Sequence, residues 1–170
     1  FLGPASAMML MTLLYSARAA RSDLFQAINY LAKRITRWDG CCDQRLHRLM
    51  CYIYGTLEYS FCGFIGDDPK DLTAHLYCDA NFAGCPYTLR STSGDHMNLQ
   101  GRNSRFPWTA GANGQTATAQ STPEAECSSL QHGMKDKAEP ALDIFSILLA
   151  RFHDGEEWQF VIDIPHLALI

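Results

Sequence analysis

The chain has 170 residues, of which 47% are hydrophobic and 19% charged, with a formal net charge of −4 at pH 7. This composition excludes wholesale disorder and supplies enough apolar side chains for the core of one or two small domains. No apolar run reaches the ~18–20 residues that a membrane span requires, so we expect no membrane partner. The chain begins at Phe1 and ends on an apolar run at Ile170, from which we expect a fragment of a longer polypeptide.

Seven cysteines are scattered along the chain without a CxxC pair. Their odd number and their spacing argue against a disulfide framework and indicate a reducing compartment. The apolar run at 7–14 is short and follows no basic segment, so it does not predict a signal peptide. We therefore expect an intracellular protein of the cytoplasm or nucleus. His47 and Cys51 could share a helix face around zinc, but the paired spacings of structural zinc sites are missing, and ordinary thiols are the simpler interpretation.

Charge is unevenly distributed along the sequence. Residues 1–50 contain seven Lys or Arg against three Asp, whereas residues 51–170 contain seven Lys or Arg against fifteen Asp or Glu. The first segment could therefore lie on a polyanion, and the second could hold cations. This asymmetry is compatible with nucleic-acid contact.

Three helices and no strand are predicted in the first third of the chain. Residues 5–20 are rich in strong helix formers with apolar residues at helical spacing. A second helix should span 22–37 with Ser22 as its N-cap, and a third should span about 42–54. We assign residues 1–58 to a helical segment that precedes a second domain.

Strand patterns follow. Residues 59–65 are aromatic and β-prone, and residues 74–82 alternate apolar and polar side chains. Two further strands are predicted near 95–100 and 105–110, separated by a hairpin signal at 101–103. The domain should therefore begin with several antiparallel strands.

Asp79 stands near the centre of the strand predicted at 74–82, between Cys78 and Ala80. A carboxylate buried in such a strand is unfavourable unless a partner, a hydrogen-bond network or a metal ion compensates it. The alternative is an exposed strand with a solvated Asp79, and this stretch alone does not decide between them.

A helix is predicted after the strands, where residues 121–124 carry a start signal with Thr122 as the N-cap. Its inward stripe should be formed by Cys127, Leu130, Met134 and Ala138. Pro140 should interrupt the helix, because it lacks a donor and its ring clashes with the preceding turn. A second helical piece at about 141–151 and a strand at 158–164 complete the predicted order.

Three acids stand in comparable settings: Asp79 in a strand, Glu124 or Glu126 in the first helical turn, and Asp163 near the end of the last strand. Clustered carboxylates repel each other unless cations are present, and Mg²⁺ prefers oxygen ligands. Two such ions can activate water in phosphodiester cleavage. The alternative is three unrelated surface acids among the eighteen Asp and Glu of the chain, which spacing alone favours.

Four motifs in order carry a resemblance to a known family. They are DANFAG at 79–84, RSTSG at 90–94, Trp108 and STPEAE at 121–126. Their order and spacing resemble the ribonuclease H domain of copia-type LTR retrotransposon polyproteins, in which an Asp-Ala-Asp-Trp-Ala-Gly strand precedes Arg-Ser-Thr-Ser-Gly and Ser-Thr-Glu-Ala-Glu. Upstream, YGTLEY at 54–59 resembles the connection that joins that family's reverse transcriptase to its ribonuclease H.

The resemblance implies an α/β fold with an RNase H-like mixed sheet in residues 59–170, in which three antiparallel strands come first and a helix and a parallel strand follow. It implies cleavage of the RNA strand of RNA–DNA hybrids with Mg²⁺ or Mn²⁺, leaving 5′-phosphate and 3′-hydroxyl ends. It also implies the reverse transcriptase portion of the parent polyprotein as a partner. The oligomeric state is not implied.

The resemblance also implies the site residues. Asp79 matches the first metal-binding aspartate of the family, and Asp163 matches the third. Glu124 and Glu126 are both candidates for the glutamate, because they flank the apolar stripe at similar angles. In the wider superfamily the glutamate stands three residues before a small residue, here Ser129, which favours Glu126. The predicted catalytic and metal-binding set is therefore Asp79, Glu126 and Asp163.

Several departures from the family pattern favour a different function. Asn81 replaces the second aspartate, and the basic run expected after Trp108 is replaced by residues 109–115, which carry no charge. We expect the C-terminus to be truncated before the last helix and the fourth acid of the family. The rival hypothesis is a catalytically inactive relic that acts at most as a hybrid-binding or interaction module. A third hypothesis is an unrelated α+β binding domain.

Overall fold

The computed structural model describes the backbone of residues 2–152 and 159–163 and the side chains of residues 2–147. Contacts within the chain divide it into two compact units, Phe1–Phe61 and Cys62–Ile170. The boundary predicted from the sequence, after residue 58, lies three residues earlier. Within the described range, none of the helices combines the length and the apolar character that crossing a bilayer requires.

The first unit is helical. Its helices are α1 (Gly3–Ala20), α2 (Phe25–Ala32) and α3 (Gly40–Gly55). The second predicted helix is shorter than expected, because Ser22–Leu24 and Ile35–Arg37 form 3₁₀ turns at its two ends. Ser22 is therefore not the N-cap of α2, which begins without a side-chain cap.

Asp39 sets the start of α3. Its Oδ1 accepts a hydrogen bond of 2.8 Å from the backbone N–H of Cys42, which satisfies one of the donors that a helix N-terminus leaves unpaired. α3 therefore begins two residues earlier than predicted. The core of this unit is aliphatic and is formed mainly by Leu10, Leu24, Ile28, Leu31, Leu46 and Leu49.

The second unit has mixed α/β structure built on a three-stranded antiparallel sheet. Its strands are β1 (Thr73–Asn81), β2 (Thr92–Gly101) and β3 (Ser104–Gly114). β1 pairs with β2 in antiparallel register, with Cys78 opposite Asp95, and β2 pairs with β3 across a bulge at Met97/Asn98. The backbone of β4 (Gln159–Asp163) lies beside β1 in parallel register, which places the strand order at β3-β2-β1-β4. Trp158 and Ile164 of the predicted last strand lie outside the described residues.

The strand predicted at 59–65 is wrong. Only Phe64 makes a β-type contact there, an isolated antiparallel bridge to Arg105. The aromatic side chains of Tyr59, Phe61 and Phe64 are more than half exposed. Their β propensity alone does not produce a strand, because strand formation also depends on packing against neighbouring side chains and on burial.

One helical run follows the sheet. It consists of α4 (Thr122–Gly133), a π-helical turn (Met134–Ala138) and α5 (Glu139–Phe152). The prediction that Pro140 ends the helix is wrong, because the helical run continues through it. The π turn directly before Pro140 changes the hydrogen-bond pattern at the position where proline has no N–H to donate. The predicted N-cap is displaced by one residue, since the Ser121 side chain, not Thr122, accepts from the N–H of Glu124.

The predicted stripe is confirmed in part: Ala138 is buried in the core and Leu130 packs against it, but the rest of the buried face of α4 differs. Cys127 and Met134 are exposed, whereas Ala125, Glu126, Ser129 and Gly133 are buried. Small residues let the helix approach the sheet closely: a Cβ added to Gly133 would lie 2.5 Å from the Cys78 Sγ. The core between the helices and the sheet is formed by Ala74, Leu76, Cys78, Met97, Leu99, Ala138, Ala141 and Phe145.

Candidate functional site

Asp79 lies on the exposed side of β1. Cys78 and Ala80 on either side of it are buried beneath the helices, and side chains alternate between the two faces of a strand. The Asp79 carboxyl group is therefore on the opposite face, together with Asn81, which is also exposed. Of the two alternatives that the sequence left open for Asp79, the structure shows the exposed one.

Glu126 and Glu124 occupy different environments. Glu126 is 4% exposed and belongs to the buried face of α4. Glu124 is exposed, and its Oε2 accepts a hydrogen bond of 2.8 Å from the N–H of Gln120, while its own N–H donates to the Ser121 Oγ. This reciprocal arrangement resembles a capping box and gives Glu124 a role in starting the helix. Of the two glutamates, Glu126 is the one that faces the sheet.

Ser129 joins α4 to β1 at the position of Asp79. Its Oγ donates a hydrogen bond of 2.7 Å to the backbone carbonyl of Asp79 and lies 3.4 Å from the carbonyl of Gly94. Glu126 stands three residues before Ser129, about 4.5 Å along the helix axis. The first turns of α4 are thereby held against the part of β1 that carries Asp79.

The Cys78 thiol lies within electrostatic reach of two carboxylates. Burial raises the pKa of Cys78 to about 11, and the negative charges of Asp95 and Glu126 contribute in the same direction. Both acids are therefore close to the middle of β1 on its helix-covered face. This thiol stays protonated at neutral pH and is not a nucleophile there.

The third predicted residue, Asp163, is the last residue of β4, and its backbone is paired with Tyr77. Its side chain lies outside the described residues. Among the side chains of residues 2–147, no group of three His, Cys, Asp or Glu is placed to hold a metal ion. The structure thus brings the α4 turn carrying Glu126 against Asp79, with the two side chains belonging to opposite faces of the sheet.

Asp95 is a buried acid that was not predicted from the sequence. Its side chain is 2% exposed, and neither carboxylate oxygen accepts a hydrogen bond within the described part of the chain. The nearest cation is the Lys137 Nζ, 4.0 Å from Oδ1, which also donates to the Thr109 Oγ1 at 3.3 Å. The alternation of Ser93, Asp95 and Met97 in β2 was the available signal, because all three fall on the same face.

Burial raises the pKa of Asp95 above its ordinary value of 3.8, although the nearby charges of Lys137 and His132 oppose this rise. A folded-state pKa above the unfolded value means that the folded state binds the proton more tightly. Ionisation of Asp95 therefore lowers the free energy of unfolding once the pH exceeds about 4, and this loss persists at neutral pH.

We expect Asp95→Asn to raise the free energy of unfolding at pH 7 by about 1 kcal/mol, because a neutral amide is less costly to bury than a weakly paired carboxylate. Urea denaturation at pH 7 and pH 3.5 measures this gain, which should vanish at the lower pH. Asp143→Asn, at an exposed position in α5, is the matched control and should change neither value. A destabilised Asp95→Asn at pH 7 would show that the Lys137 ion pair outweighs burial.

No protein-family model, curated protein or solved structure matches the chain. The likeness to the copia-type ribonuclease H domain is therefore carried by its ordered motifs alone. Two of these motifs, at 79–84 and 121–126, lie on β1 and at the start of α4, the two elements that the hydrogen bond from Ser129 to the Asp79 carbonyl joins.

Proposed function

We propose that the second unit is a metal-dependent endonuclease that cleaves the RNA strand of RNA–DNA hybrids, and that it belongs to a reverse transcriptase/ribonuclease H polyprotein. The observation that carries this proposal is the 2.7 Å hydrogen bond from Ser129 to the Asp79 carbonyl. It supports a site in which a strand aspartate and a helix glutamate are neighbours, as the resemblance implies.

An RNase H-like sheet forms part of this proposal. The antiparallel order of β1, β2 and β3 supports it, as does the position of α4 after β3. The parallel register of the β4 backbone beside β1 supports it too, because a helix between two parallel strands is the connection that such a sheet requires. In this arrangement Asp163 is opposite Tyr77 on the neighbouring strand, two positions before the level of Asp79.

Asp79, Glu126 and Asp163 would hold Mg²⁺ or Mn²⁺. The three side chains offer only carboxylate oxygens, which are the donors that hard divalent cations prefer. Because Asp79 is exposed, a metal ion could reach its carboxylate from solvent, whereas burial restricts the rotamers of Glu126. When bound, the metal supplies Lewis-acid activation of water and stabilises the leaving oxygen of the phosphodiester. The contribution of the chain is to fix the α4 turn against β1 through Ser129.

On the same face of the sheet as Asp79, towards the start of β1, the half-buried Tyr77 and Gln100 would contact the substrate, with the buried Asn98 positioning Gln100. The Gln100 Nε2 donates to the Tyr77 Oη at 2.6 Å and to the Asn98 Oδ1 at 2.8 Å, so these groups form a connected row across β1 and β2. The ribose 2′-hydroxyl both donates and accepts hydrogen bonds and distinguishes RNA from DNA. A row rich in amide groups can both donate hydrogen bonds to the 2′-hydroxyl and accept them from it, without reading bases.

A second candidate function is a catalytically inactive module that binds hybrids or another protein. The side chains of Asp79 and Glu126 belong to opposite faces of the sheet, which favours this alternative. Asn81 also favours the inactive module, because it stands where the family has a second aspartate on the same face as Asp79.

The deciding experiment is incubation of the purified 170-residue chain with a 5′-labelled RNA–DNA hybrid in Mg²⁺. We expect cleavage of the RNA strand, with none in EDTA and none of single-stranded RNA or duplex DNA of the same sequence. Hybrid binding without cleavage would support the inactive module. The absence of both would contradict the nuclease and hybrid binding, and would leave protein binding as the function of an inactive module.

A further inference from the structure

A groove of about 460 Å³ lies in the first unit, between α2 and α3. Its floor is apolar and is formed by Leu24, Ala27, Leu31 and Leu49. Its rim is polar and carries Asp23, Gln26, Tyr30, Arg45, Arg48 and Tyr52. The volume falls within the range of ~300–1,000 Å³ that is usual for small-molecule sites.

The one carboxylate on this rim is already neutralised. Asp23 accepts hydrogen bonds from the Nε and Nη2 of Arg21 at 3.0 and 2.9 Å and from the Tyr52 Oη at 3.0 Å. The Arg21 guanidinium consequently holds the pKa of Asp23 below its usual range. Across the described side chains, no carboxylate lies within ion-pair distance of Arg45 or Arg48. The rim therefore has a positive charge that a ligand can neutralise.

Planar side chains are among those that line the groove. The Arg45 guanidinium lies over the Tyr30 ring, 4.4 Å from its centroid, and Arg34 lies 3.9 Å from the same centroid. Stacking on the ring restricts Arg45 before any ligand binds. Tyr52, a second aromatic residue of the lining, is 47% exposed. An aromatic group that enters the groove meets an apolar floor and two planar neighbours.

We propose that this groove binds a nucleoside phosphate, with its base on the apolar floor and its phosphates at Arg45 and Arg48. Aromatic and anionic parts in one ligand match the two kinds of surface, and arginine is well suited to phosphate oxygens. The ligand is either a free nucleotide or an exposed nucleotide of a single strand. This site lies in a different unit from the proposed nuclease centre and does not depend on it.

Fluorescence anisotropy of labelled ATP and of a labelled oligothymidine of ten nucleotides, both in EDTA, tests the proposal on the full chain. We expect Arg45→Gln/Arg48→Gln to weaken binding at least about tenfold, since two charge-assisted hydrogen-bond sites are removed. Arg18→Gln/Arg37→Gln removes the same charge from exposed positions outside the groove and should weaken binding less than about twofold. Binding of ATP identifies a free nucleotide as the ligand, and binding of the oligonucleotide alone identifies a single strand.

Three outcomes would overturn the proposal. The first is that neither probe binds, and the second is that both double variants weaken binding equally. The third is that inorganic triphosphate displaces labelled ATP as well as unlabelled ATP does. The last competition uses the unmodified chain and does not depend on the folding of any variant. Because no metal is present and no cleavage is measured, a failure here is distinct from a failure of the nuclease assay.

Discussion

Asp79→Asn is expected to lower the rate of hybrid cleavage at least about a hundredfold, because the loss of one ligand charge removes several kcal/mol of metal-dependent transition-state stabilisation. Asparagine has nearly the same shape and Asp79 is exposed, so β1 should keep its register and stability. Single-turnover cleavage of the labelled hybrid in Mg²⁺ measures the rate. Asp143→Asn is an isosteric control on α5 and should cleave at the rate of the parent chain.

Glu126→Gln should show a loss of the same order, and Glu124→Gln should remain within about twofold of the parent rate. The physical reason is the difference in environment: Glu126 faces the sheet near Cys78, whereas Glu124 accepts the Gln120 N–H at the start of α4. If Glu124→Gln abolished cleavage and Glu126→Gln did not, the assignment of the glutamate would be wrong. Unchanged cleavage in Asp79→Asn would remove the proposed site altogether.

Gly133→Ala is expected to destabilise the second unit by about 1–2 kcal/mol, although alanine is normally the better helix former by about 1 kcal/mol. Gly133 has an ordinary right-handed helical backbone, with φ −62°, so glycine is not needed there for its conformation. It is needed for space, because an added Cβ would lie 2.5 Å from the Cys78 Sγ and 3.4 Å from the Leu76 Cδ2. Urea denaturation monitored by circular dichroism measures the change.

The cause can be isolated by a double-mutant cycle. Cys78→Ala removes the sulfur that the new methyl group would meet, so Gly133→Ala should cost much less in that background than in the parent. Gly55→Ala is the control, since Gly55 ends α3 and a Cβ there would meet no atom within 4 Å. An equal penalty in both backgrounds would assign the effect to something other than the contact with Cys78.

Elements with strong local signals were predictable. β1 was expected at 74–82 and is found at Thr73–Asn81, because strict alternation over nine residues has no competing helical interpretation. The three helices of the first unit were also expected. The exact starts of the second and third were not, since Ser22 does not cap α2, whereas the Asp39 side chain accepts the N–H of Cys42 and begins α3 earlier than predicted.

Features that depend on tertiary contacts were not predictable. The buried face of α4 is chosen by closeness to β1, which small residues such as Ser129 and Gly133 permit, and hydrophobic periodicity pointed instead to Cys127 and Met134. Residues 59–65 have strand-forming side chains, yet strand formation needs a partner that the sequence does not reveal. The choice between exposed and buried Asp79 likewise depended on which face of β1 the helices cover.

Cys78 makes this helix–sheet contact observable in solution. Its thiol is 1% exposed and has a pKa of about 11, so an alkylating reagent can reach it only after α4 and the π turn separate from β1. Exposed thiols such as Cys127 need no such separation. The ratio of the two labelling rates reports the free energy of that opening under native conditions and without denaturant. The unit therefore contains its own probe of whether the strand carrying Asp79 and the helix carrying Glu126 stay together when substrate binds.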